Sequence, residues 1–244
     1  MKIPIIILAA SFICVAVCTA QDATSPKPVK KSNYVFDLNN KDHYTPATLS
    51  RDDGGLAIAG SNFSSQIRQC KSINKISIAD LEALMRPGSK DERGSKSGFL
   101  GKDEGLLDIL VEDNEFVRKH GLTHRKLAIP LLQISNRAVG MLSTGRPPIE
   151  FSHSGINWRV QVNTTLGYQL SPFNDGTKTS TDFTLTNLDN KKTIKFSGLV
   201  PLMIERYGFY EGKGTPYRVE PADIIKVLGL AEENPAIVKI ATSN

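Results

Sequence analysis

Cysteine is scarce in this chain. Three cysteines in 244 residues, at positions 14, 18 and 70, exclude a disulfide-stapled mini-scaffold. One tryptophan and an aromatic share of 7% supply no stacking platform for nucleobases. Lys and Arg outnumber Asp and Glu by only 30 to 25, so no concentrated basic face exists, and nucleic acid is not expected as a partner. There is no Gly-x-y repeat and no sustained heptad, which removes collagen-like and long coiled-coil readings. No Gly-x-Ser-x-Gly elbow is present, so serine-hydrolase chemistry has no local support.

What is present begins at the N-terminus. Met1-Lys2 gives a short positive start, Ile3 to Cys18 is almost continuously apolar, and Cys18-Thr19-Ala20 offers small residues before a cleavage point. This layout predicts a secretory signal peptide over residues 1–20 and export to a periplasmic or extracellular compartment. The apolar run is shorter than the ~20 residues of a spanning helix, and no transmembrane span is expected after cleavage. A lipid attachment at Cys18 is the competing reading, but Val17 is larger than the small residue expected there. Cleavage removes Lys2, Cys14 and Cys18, leaving Cys70 as the sole thiol. Cys70 is then a buried core residue, an intermolecular bridge or a reactive nucleophile, with Arg68 and Lys71 as cationic neighbours.

Residues 21–32 lack apolar periodicity and read as a flexible tether. Residues 33–244 read as a single α+β domain, divisible at most into a helical lobe (77–145) and a β-rich lobe (149–230). Short strands are expected at Tyr34–Leu38 and Leu56–Ala59. Ser77 and Asp80 form a capping pair for a helix over Ile78–Arg86, which Pro87-Gly88 stops. Leu106, Leu107, Leu110, Val111, Phe116 and Val117 mark a second helix, with Gly121 as its stop. Thr123 caps a third helix carrying Leu127, Leu131 and Ile134, which Pro130 kinks or restarts. The period then changes to two. Ile156, Trp158, Val160 and Val162 alternate with polar residues, Tyr168 and Leu170 continue the pattern, and Phe183/Leu185 and Ile194/Phe196 follow. The expected architecture is a helical middle segment packed on a C-terminal antiparallel β-meander, closed by a helix from Pro221 to Gly229.

Several motifs suggest chemistry. Five glycines between Gly88 and Gly105 are mixed with Lys90, Arg93, Lys96 and Lys102. The register of a phosphate-binding loop fails at Arg93, leaving a basic surface loop able to attract an anion. His120 and His124 have i,i+4 spacing suited to a metal, but Gly121 ends the helix between them, so no metal is favoured and no cofactor is expected. Gly121-Leu122-Thr123-His124-Arg125-Lys126-Leu127-Ala128 resembles the turn and second-helix start of bacterial helix-turn-helix domains. Pro130 would interrupt a recognition helix, and two packed helices joined by a capped turn have the same letters. Asn62-Phe63-Ser64 and Asn163-Thr164-Thr165 fit the N-glycosylation pattern. Asp175-Gly176-Thr177 with Asp182 lacks the ligand spacing of an EF-hand.

The stretch from Tyr207 to Arg218 is the most unusual. Three tyrosines and Phe209 surround glycines, with Glu211 and Arg218 as charged partners. Exposed tyrosines beside a carboxylate and a guanidinium suit sugar or peptide recognition, and Tyr207, Tyr210, Glu211, Tyr217 and Arg218 are the candidate ligand-binding residues. A glycine-rich hairpin whose aromatics pack onto a sheet would carry the same residues. The expectation is an exported binding module for a glycan, an anionic polymer or another envelope protein. The alternatives are a structural envelope protein with a protein partner and an extracellular hydrolase. The hydrolase would draw an acid/base pair from Glu211, Glu205 and Asp182, or hold a metal through His120 and His124.

Overall fold

The computed structural model describes residues 48–51, 54–57, 64–142, 145 and 147–230, all within the unit Ser32–Asn244. The signal-peptide and tether readings and the Tyr34–Leu38 strand lie outside the described residues. In chain order the elements are β1 (Thr48–Arg51), β2 (Gly54–Ala57), α1 (Ser64–Arg68), β3 (Ser72–Ile73), β4 (Ile76–Ser77), α2 (Ile78–Met85), α3 (Leu106–Lys119) and α4 (His124–Met141). These are followed by β5 (Ile149–His153), β6 (Ile156–Leu170), β7 (Lys178–Asn187), β8 (Lys192–Ser197), α5 (Val200–Tyr207) and α6 (Pro221–Leu228). The fold is α+β: helices in the middle, an antiparallel sheet in the order β5-β6-β7-β8, and a closing helix.

Local chemistry accounts for most helix ends. The Ser77 hydroxyl accepts from Asp80 N at 3.1 Å and donates to Asp80 Oδ2 at 2.6 Å, capping α2. Arg86 is extended because it precedes Pro87, so α2 ends at Met85. At the end of α3, Gly121 N donates to Arg118 O and Leu122 N to Val117 O, the paired bonds of a Schellman motif, with Gly121 at φ +69°. Thr123 Oγ1 then accepts from Lys126 N and starts α4, which runs through Pro130 without breaking.

The meander follows from alternation. Trp158, Val160 and Val162 of β6 oppose Asn187, Leu185 and Phe183 of β7, and Leu185 and Phe183 oppose Ile194 and Phe196 of β8. The seven apolar side chains among these are buried. Ser152 and His153 belong to β5, and only Ser154-Gly155 forms the turn, both at positive φ as a two-residue I′ hairpin requires. The β6–β7 register shifts between Thr164 and Gln169, which pushes the β6 segment around Gly167 out of the ladder. One hydrophobic cluster joins α2, α3, α4, α5, α6 and the sheet.

Six elements have no counterpart in the sequence pattern: the helices α1 and α5 and the short strands β1, β3, β4 and β5. In α5 every residue from Val200 to Tyr207 is buried, so no polar face marks a helical period. Gly208, at φ +68°, ends it. The residues after Tyr207 form an irregular loop up to Glu220, not a hairpin.

Candidate functional site: a polar cleft at the β6 bulge

The loop after α5 first dives into the core. Tyr207 stacks on Phe173 with ring centroids 3.8 Å apart, and its hydroxyl donates to Asp175 Oδ2 at 2.9 Å while accepting from Asn74 Nδ2 at 2.8 Å. Asp175 also accepts from Thr177 and pairs with Arg206 at 3.1 Å. Burial alone would raise its carboxyl, but these hydrogen bonds and the guanidinium hold it below the ordinary range. With its oxygens engaged in this way, Asp175 is not available for a calcium loop.

Tyr210 is equally enclosed. Its hydroxyl lies 2.9 Å from His124 Nδ1, and His124 Nε2 lies 3.2 Å from Asn114 Oδ1. Asn114 Oδ1 can only accept, so Nε2 carries the imidazole proton and Nδ1 accepts from Tyr210. Burial pushes the His124 pKa down to about 4, keeping the ring neutral. His120 instead has Nδ1 2.8 Å from Phe116 O and packs on the Phe116 ring. The two histidines therefore serve different ends of a helix junction. No group of three metal-capable side chains occurs among the described residues.

Arg218 returns the loop to α3. Its guanidinium donates to Asp113 at 2.7 and 3.1 Å, to Glu220 at 2.7 and 2.9 Å, and to the Glu211 carbonyl at 2.5 Å. Burial pushes the Asp113 carboxyl up to about 6, against the pull of Arg218, and the pair is ionised at neutral pH. Three of the five candidate binding residues thus hold the loop in place: Tyr207 and Tyr210 are 0% exposed, and Arg218 is committed to its ion pairs. Their aromatic faces are not presented to solvent, because the core of α5 and α4 has already covered them.

The other two, Glu211 and Tyr217, line a cavity of about 340 Å³. Its opposite wall is built by the β6 bulge, β7 and the Ser95–Phe99 turn of the basic loop. Gly212 N donates to Phe99 O at 2.8 Å and fixes the loop against that turn. Asp182 enters from β7 and accepts from the Tyr217 hydroxyl at 3.0 Å. Glu211 has φ +67°, a conformation costly for a residue with a side chain and often found at functional sites. Thr215 Oγ1 lies 3.0 Å from Glu211 Oε2 and 2.8 Å from Gly212 O. The Thr215 hydroxyl donates to Glu211 Oε2, and Gly212 O also accepts from Thr215 N at 3.1 Å. Burial pushes the Glu211 pKa up to about 8, with the nearby Asp182 charge adding to the rise.

Thr181 supplies an independent observation. It is 4% exposed, lines the cavity, and its Oγ1 has no hydrogen-bond partner among the described residues. Such an orphaned buried hydroxyl costs about 1–3 kcal/mol, and its oxygen is closed to solvent. At the rim, Tyr168 is 56% exposed and carries Lys178 Nζ over its ring at 4.6 Å. Leu166 beside it is fully exposed.

Sequence reasoning named Glu211, Tyr217 and Asp182 but missed Thr181, Gln169 and the rim aromatic. The signal that could have found them is Gly167 inside a strand pattern, a mark of a bulge. Glu205, the third carboxylate candidate, lies apart: it is 0% exposed and faces Arg125 at 3.4 Å, and burial raises its carboxyl. Cys70 is buried as well, its thiol donating to Ser72 O, and burial raises its pKa. In the basic loop, Arg93 pairs with Asp91 and holds that carboxyl down to about 2. No protein-family model, curated protein or solved structure matches the chain.

Proposed function

We propose that this protein is an exported binding module whose cleft at the β6 bulge takes a polyhydroxylated, glycan-like ligand. The observation that carries the reading is a cavity that holds the Asp182 and Glu211 carboxyls beside the half-exposed Tyr168 ring. Sugar hydroxyls both donate and accept, and this wall offers acceptors at the Asp182 carboxylate and at Gln169 Oε1, whose amide nitrogen is engaged with Arg93 O, Gly94 O and Leu170 O. The half-exposed Tyr168 ring supplies an apolar face at the rim, the usual complement to a few placed polar groups. The size, about 340 Å³, suits one or two sugar rings. Export is the inference from Met1–Ala20.

Calorimetric titration with soluble cellohexaose and hexa-N-acetylchitohexaose tests this reading. The expected result is saturable binding by at least one oligosaccharide, weakened at least tenfold by Tyr168→Ala and by Asp182→Ala, with melting temperatures near wild type. Absence of binding by the wild type, or equal binding by both variants, would overturn the reading and leave a protein partner as the better explanation of the exposed Leu166 and Tyr168.

A further inference from the structure

We infer that the cleft also cuts its ligand: Glu211 and Asp182 are the acid and base of glycosidic-bond hydrolysis. This rests on the glycan-binding reading. The two carboxyls approach one cavity from unlike settings. Glu211 is 2% exposed, held at positive φ on a loop pinned by Gly212 to Phe99. Asp182 sits on a strand, partly exposed, with Tyr217 donating to its Oδ2. Two carboxyls set in such unlike surroundings at one cavity are suited to divide the acid and base roles.

The hydrogen bonds leave one oxygen of each group for chemistry. The Thr215 hydroxyl donates to Glu211 Oε2 and leaves the carboxyl proton to Oε1, which has no protein hydrogen bond among the described residues. The Tyr217 hydroxyl occupies Asp182 Oδ2 and leaves Oδ1 to a water. In the reaction the bond from the anomeric carbon to the leaving oxygen breaks as Glu211 protonates that oxygen. The water oxygen bonds to the anomeric carbon and gives its proton to Asp182. One water is consumed, and solvent returns the proton from Asp182 to Glu211. Gln169, fixed by its amide nitrogen to Arg93 O and Gly94 O, accepts from a substrate hydroxyl through Oε1 and acts as a positioning residue. The charged and titratable groups around Glu211 are Asp182 from β7, Tyr217 and Arg218 from its own loop, and Glu104 beside Gly212.

The test incubates the full chain with the same two hexasaccharides in water enriched in oxygen-18 and reads products by mass spectrometry. The expected result is shorter oligosaccharides carrying one heavy oxygen at the new reducing end. Glu211→Gln and Asp182→Asn should each slow this by about 10²-fold or more. Glu211→Gln is isosteric and should still bind the oligosaccharide within a few-fold of wild type. The rate should also fall above pH 8, where Glu211 loses its proton. Binding without cleavage overturns this inference and leaves the binding reading standing. Absence of binding overturns both, and cleavage that persists in Glu211→Gln removes Glu211 from the acid role.

Discussion

Arg218 grips Asp113 through two nearly parallel hydrogen bonds, 2.7 and 3.1 Å long, across 105 residues of sequence, with both side chains 4% exposed. This pair anchors the end of the Glu211 loop to α3. It therefore fixes one wall of the cleft from the far side of the core.

Arg218→Ala strands the buried Asp113 carboxylate and should cost about 3–5 kcal/mol in urea unfolding. Asp113→Ala leaves Arg218 paired with Glu220 and should cost less. The double variant should lose less than the sum of the two, because neither charge is then stranded. Additive losses would show that the two side chains do not depend on each other.

Glu211 makes stability fall with rising pH. Its folded pKa, about 8, lies above the ordinary carboxyl value near 4.3, so the folded state holds a proton that the unfolded chain has released. The contribution is complete below about pH 4.3 and is lost as pH rises through about 8. Glu211→Gln lacks this titration. Its stability relative to wild type should increase from pH 5 to pH 9 by a few kcal/mol, read from urea midpoints at the two pH values. A constant difference would mean that Glu211 titrates normally in the folded protein.

His124 has the opposite slope. Its folded pKa of about 4 lies below the ordinary 6.5, so the unfolded chain takes up a proton first as pH falls. Stability from this residue is complete above about pH 6.5 and declines as pH falls to about 4. The effect is of the order of 3 kcal/mol at most. In an NMR titration the His124 ring resonances should stay flat from pH 8 to pH 5, while a ring that titrates near 6.5 would contradict its burial against Tyr210 and Asn114.

Gly212 is required by close approach. A Cβ there would lie 2.0 Å from Glu104 Oε2 and 2.9 Å from both Gly101 N and Leu100 Cα, and the last two are backbone and cannot swing away. Gly212→Ala should detach the loop from the Phe99 turn, lowering stability by about 1–3 kcal/mol as an overpacking change and weakening any ligand binding. Gly214→Ala, whose Cβ would meet nothing nearer than 3.5 Å, is the matched control and should stay within about 0.5 kcal/mol of wild type.

Cys70 should resist alkylation by iodoacetamide in the folded protein and react fully in denaturant, since burial covers the sulfur and disfavours its thiolate. Rapid labelling of the native protein would return Cys70 to the list of reactive candidates.

Much of the architecture was legible because its causes are local. Ser77 and Thr123 cap the helices that follow them, Gly121 and Gly229 end helices in left-handed conformations, and the Trp158-Val160-Val162 alternation marks a half-buried strand. Each signal lies within a few residues of the feature it sets. The carboxylates Asp182 and Glu211 could be named as candidates from their chemistry alone.

Only tertiary packing decided which residues reach the ligand side. Tyr207, Tyr210 and Arg218 carry recognition chemistry in their side chains, yet Phe173, His124 and Asp113, all distant in sequence, cover them. α5 gave no periodic signal because neighbours surround it on every side. The bulge in β6 leaves Tyr168 half-exposed at the cavity that Asp182 and Glu211 also line. Local sequence fixes backbone conformation through sterics and short hydrogen bonds. Burial, and with it the proton on Glu211, depends on long-range contacts that no short window of residues contains.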